Sequence, residues 1–118
     1  METMRLRHIL APSRLDMLLD ALVCHSNLVP EGVSRTRDLG ALSQDLRTLV
    51  TRATQRGLVW GCWERGPDTW LVLGEMSLPL SRERGLPVLR IELYTDEGLK
   101  ETGLWTADRK GNWSRCSE

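Results

Sequence analysis

At Gly57 the apolar spacing of the chain changes from a period of about 3.6 residues to a period of about 2. Before that point leucines recur every third and fourth position. After it, short runs rich in Val, Ile, Leu and Trp alternate with Gly, Pro, Asp and Asn at close intervals. A chain patterned this way is limited to an α+β fold, in which helices come first and an antiparallel meander follows. Segments 58–65, 69–80, 88–95, 99–107 and 112–116 read as strands, and the turns fall at 66–68, 81–87, 96–98 and 108–111.

Two helices are predicted upstream. Leu15, Leu18, Leu19, Leu22 and Val23 share one face of a helix over 13–26, with Ser13 as its N-cap. Leu39, Leu42, Leu46, Leu49, Val50 and Ala53 stripe a second helix over 36–56, which is capped among Ser34, Thr36 and Asp38 and closed by Gly57 at C′. Residues 5–10 place Leu6, His8 and Leu10 opposite Arg5, Arg7 and Ile9, the pattern of a short strand near an edge. The expectation is a single α+β domain over 1–118, with two N-terminal helices packed on an antiparallel meander sheet of four to six strands.

Several function classes are disfavoured at once. A length of 118 residues suits one ordinary core. No apolar run approaches the ~18 residues of a membrane span, and the first residues lack the apolar stretch of a signal peptide. A cytoplasmic protein without membrane contact is expected. The 16 basic and 16 acidic residues cancel, so there is no charge excess to draw in nucleic acid. Cys24, Cys62 and Cys116 are odd in number and widely spaced, which leaves no disulfide framework and no metal pair. Cys24 and Cys62 read as small buried hydrophobes. No nucleophile elbow, zinc motif or phosphate loop is present, and no cofactor or metal is expected.

The order strand, helix, helix, strand, strand over residues 5–80 resembles the N-terminal half of the GCN5-related N-acetyltransferases. In that family a coenzyme A loop of pattern R-x-x-G-x-G/A follows. Here Arg82 and Gly85 match its arginine and first glycine, while Pro87 stands at the Gly/Ala position and brings no N–H. The resemblance implies Arg82, Arg84 and Gly85 as contacts to the pyrophosphate of an acyl-coenzyme A, and Glu75 as a strand-borne base. Tyr94, the single tyrosine, is a further catalytic candidate. Against this reading, 88–94 is β-branched and aromatic with polar residues at alternate positions. That pattern makes 81–87 a hairpin turn rather than the entry to a helix, and Glu75 an ion-pair partner for Arg90 on the next strand.

Segments 58–63 and 70–74 are apolar on both faces: Trp60 and Cys62 lie opposite Val59 and Trp63, and Leu71 and Leu73 lie opposite Trp70 and Val72. If both helices share one face, the other is left uncovered, and the candidate interface or ligand residues across the two faces are Trp60, Trp63, Trp70, Leu71 and Leu73. The expected function is therefore that of a small non-catalytic binding or regulatory protein acting through its sheet, by dimerising or by docking on a protein partner. The alternatives are an acetyltransferase-like protein that binds an acyl-coenzyme A, and a tryptophan-lined cone that binds a small molecule or acts like an isomerase.

Overall fold

The computed structural model describes residues 12–116. The elements are α1 (Pro12–Cys24), β1 (Ser34–Thr36), a 3₁₀ turn (Leu39–Ala41), α2 (Gln44–Gln55), β2 (Val59–Arg65) and β3 (Asp68–Met76). They are followed by α3 (Leu78–Arg84), β4 (Val88–Thr95), β5 (Gly98–Ala107) and β6 (Trp113–Cys116). The six strands form one antiparallel sheet in the order β1-β2-β3-β4-β5-β6. The fold is α+β with a meander sheet, as the change of period predicts. The strand expected over 5–10 lies outside the described residues.

The second helix is shorter than its apolar stripe suggests. Over 34–36 the chain is strand β1, and the expected cap residues make turns instead: Thr36 Oγ1 accepts from the Asp38 N–H at 3.1 Å, and Asp38 Oδ1 accepts from the Gly40 N–H at 2.9 Å. Such side-chain bonds compete with helical ones. Ser43 caps α2 instead, accepting from the Leu46 N–H at 3.4 Å. Ser13, expected as a cap, is already inside α1.

The strand expected over 69–80 stops at Met76, because Pro79 fits the first turn of a helix and not a strand interior. The expected turn at 81–87 is therefore largely helix α3. Gly85 ends it in the left-handed region at φ 68°, where its N–H closes on the Ser81 carbonyl at 2.9 Å. Strand β4 then begins at Val88, as the alternation of 88–94 requires.

The main correction concerns the faces of the sheet. Leu15, Leu19, Leu22 and Val23 of α1 pack on the front face with Trp63, Val72, Leu89, Ile91 and Leu93. Leu42 joins Leu46, Val50 and Ala53 of α2 on the back face, against Cys62, Leu71 and Leu73. Leu80 of α3 packs on Val88, Leu104 and Cys116. The helices do not share a face. From α1 the chain passes through β1, the edge strand, and reaches the opposite side before α2 begins. One helix on each side closes both apolar faces of β2 and β3, so the expected uncovered face does not exist.

Candidate functional site

The site is built around Arg35, the middle residue of β1. Its Nη2 lies 2.5 Å from Asp16 Oδ1 and its Nη1 3.4 Å from Asp20 Oδ1, both on α1. Nη2 also donates to the Trp60 carbonyl of β2 at 3.4 Å, and the guanidinium lies 5.0 Å from the Trp63 ring centroid. The side chain is only 16% exposed, and its Nε is buried without a hydrogen-bond partner. Two carboxylates, a carbonyl and an indole face thus offset the cost of sinking this cation at the edge of the sheet. Gly61 makes the stack possible. A Cβ there would lie 2.5 Å from the Trp63 ring and 3.1 Å from Arg35 Nη2.

Beside this stack lies an open groove of about 510 Å³, lined by Leu15 and Asp16 of α1, Arg35 to Arg37, Thr54, and Leu58 to Gly61. It exists because β1 is short. Residues 34–36 pair with 62–64 of β2, so Val59, Trp60 and Gly61 have no neighbouring strand on that side among the described residues. In the register Val59, Trp60 and Gly61 all stand opposite β3, but an antiparallel strand aims the backbone groups of every second residue away from that neighbour. The Trp60 carbonyl, 3.4 Å from Arg35 Nη2, is turned toward β1. In a strand the N–H and C=O of one residue point to the same side. Trp60 therefore presents a donor and an acceptor to the groove. Arg37 stands at the rim, 78% exposed, with its Nη2 3.5 Å from Asp16 Oδ2.

The other edge differs. β5 has ten residues, and β6 pairs only with 104–107, which leaves Gly98–Gly103 without a neighbouring strand on that side among the described residues. There the register shifts opposite Leu93/Tyr94, a bulge that skips Lys100, and charged Lys100 and Glu101 sit at the irregularity. A bulge and edge charges are the usual devices against strand addition. The β2 groove carries neither on its floor.

Of the residues expected at an interface, Trp63, Leu71 and Leu73 are buried, and Trp60 and Trp70 are half-buried. Only Trp60 belongs to the groove. Trp70 receives Arg65, whose guanidinium lies 6.0 Å from the ring. Glu75 stands opposite Arg90 in the register, 3.9 Å from its Nε, with both side chains about half exposed; this is the ion pair the sequence suggests. Tyr94 packs with the back-face core, and burial, reinforced by the Glu92 carboxylate, pushes its hydroxyl above the ordinary tyrosine value. Arg82 and Arg84 occupy the last turn of α3, and Gly85 is its C-terminal cap. Pyrophosphate loops aim N–H groups from a helix N-terminus, and these three residues lie at the opposite end of a helix that is followed by a strand.

Cys62 is buried, as expected, and burial pushes its thiol up to about 11, with Glu64 and then Asp96 adding to the shift. Cys24 is exposed, a correction: it follows Val23 by one helical step, which carries it from the buried face of α1 to the solvent side. Among the described residues no group of His, Cys, Asp and Glu could hold a metal ion, and no helix is long and apolar enough to cross a membrane.

Sequence reasoning missed Asp16, Arg35, Arg37 and Gly61. The alternation Val33-Ser34-Arg35-Thr36-Arg37 was the available signal for β1. No protein-family model, curated protein or solved structure matches the chain.

Proposed function

We propose that the protein is a non-catalytic binding protein that docks an extended segment of another protein at the open edge of β2. Both faces of β2 and β3 carry a helix, so contact through a bare face there, the basis for expecting a homodimer, has lost its support. The edge remains. The observation that carries the reading is the groove where β1 ends three residues short of the start of β2 and leaves the Trp60 amide and carbonyl facing a cavity of about 510 Å³. Strand addition supplies affinity through main-chain bonds and specificity through flanking side-chain pockets. Here Leu15, Leu58 and Val59 provide apolar contact on either side of the edge.

Selection of linear peptides from a random displayed library against the folded protein tests this directly. The selected peptides should shift the backbone amide resonances of Thr36, Leu58 and Trp60. At a hundredfold excess over Kd they should add ~2.7 kcal/mol to the stability of the fold. Binders whose shifts cluster on the outer surface of α2, or at Glu75 and Tyr94, would sink the proposal.

A further inference from the structure

The two arginines at the groove are unequally paired, and that difference specifies its occupant. Arg35 and Arg37 both approach Asp16 in the groove, and with Asp20 the cluster holds two guanidiniums and two carboxylates that are unevenly shared. Arg35 takes that carboxylate at 2.5 Å and has Asp20 as a second partner. Arg37 reaches Asp16 only at 3.5 Å and is 78% exposed at the rim. Arg37 is thus the cation with the least complete neutralisation, and it follows directly on the last residue of β1. A strand laid in line with β1 along 59–61 would pass beside it.

Resting on the edge-docking reading above, we infer that the occupant is an extended apolar segment of a partner protein that carries an acidic residue. Its backbone pairs with the N–H and C=O of Trp60, its apolar side chains meet Leu58 and Val59, and its carboxylate pairs with Arg37. A basic residue in that place would stand against the exposed Arg37 guanidinium, so the groove discriminates by repulsion as well as by attraction.

The test uses three acetylated, amidated hexapeptides of alternating valine and threonine that differ only in the first residue, the one a strand continuing β1 would set beside Arg37: Asp, Asn or Lys. They are titrated into the full chain and followed by the Trp60 and Thr36 amide resonances. The Asp peptide should bind about threefold to fivefold more tightly than the Asn peptide, the size of an exposed ion pair, and the preference should fade at high salt. The Lys peptide should bind most weakly. Arg37→Gln, which alters a largely exposed side chain, should remove the preference, so that the Asp and Asn peptides bind alike.

Equal affinities for Asp and Asn with Trp60 still shifted would overturn the acidic specificity and leave edge docking standing. No shift at Trp60 with any of the three, in the full chain and in a variant lacking residues 1–11, would overturn both. Trp60 shifts that grow with protein concentration alone would make a second copy of the chain the occupant. If a variant lacking residues 1–11 binds the peptides while the full chain does not, the occupant is the chain's own first segment. Either result overturns the partner assignment.

Discussion

Arg35 and Gly61 show how single positions set the shape of this edge. The guanidinium can lie between Asp16 and the Trp63 ring only because residue 61 has no Cβ. Gly61→Ala should cost about 1–3 kcal/mol, since the new methyl would meet a 2%-exposed indole that has no room to retreat. Urea unfolding measures this, and a cost near zero would mean that the ring is not held where it lies. Cys62 gives a pH dependence. Its thiol ionises at about 11 in the fold, against 9.0 when unperturbed. The protonated form is thus favoured by folding. Its contribution is complete below 9.0 and is lost as pH rises from there toward about 11. Stability measured across that window should fall less steeply for Cys62→Ala than for the natural chain, and equal slopes would refute the assignment.

Among the elements, the long amphipathic ones were legible and the short ones were not. The α1 and α2 leucines repeat over three turns, and β2 to β5 are apolar or alternating runs of seven residues or more between turn residues, so pattern and length identify them. β1 has three residues and α3 seven, too few for a period to emerge. Their boundaries come from local chemistry instead: Thr36 and Asp38 bonding to nearby amides, Pro79 entering a helix and Gly85 ending one. Leu19→Ala and Leu46→Ala should each cost about 2–5 kcal/mol, because each is essentially buried, one on either side of the sheet. Arg52→Ala, on the exposed side of α2, should change stability by no more than ~0.5 kcal/mol. Their free energies should add, since the sheet separates the two leucines, and strong coupling between them would argue against helices on opposite faces. For α3, acetyl-coenzyme A should leave the melting temperature unchanged, because Arg82, Arg84 and Gly85 stand at a helix C-terminus. A saturable rise absent with adenosine alone would restore the coenzyme reading.

At the scale of the whole molecule, apolar period reports that a helix or strand has a buried face but not which layer that face joins. The stripes of α1 and α2 are alike in kind, and the placement of one on each side follows from the path of the chain around the β1 edge. The expected site inherited that ambiguity: Trp63, Leu71 and Leu73 were visible in the sequence as two-faced strand residues, and they proved to be the core between two helices. Trp60 alone was both legible and placed at the groove. The account depends on the β2 edge being open in the free protein. Native-state amide hydrogen exchange in β2 measures this residue by residue. Trp60, whose carbonyl turns toward β1, should exchange much faster than Gly61, whose backbone groups alternate toward β3, and should slow when the Asp-tipped peptide binds. Protection of Trp60 equal to that of Gly61 in the free chain would show the edge already paired and would contradict the account.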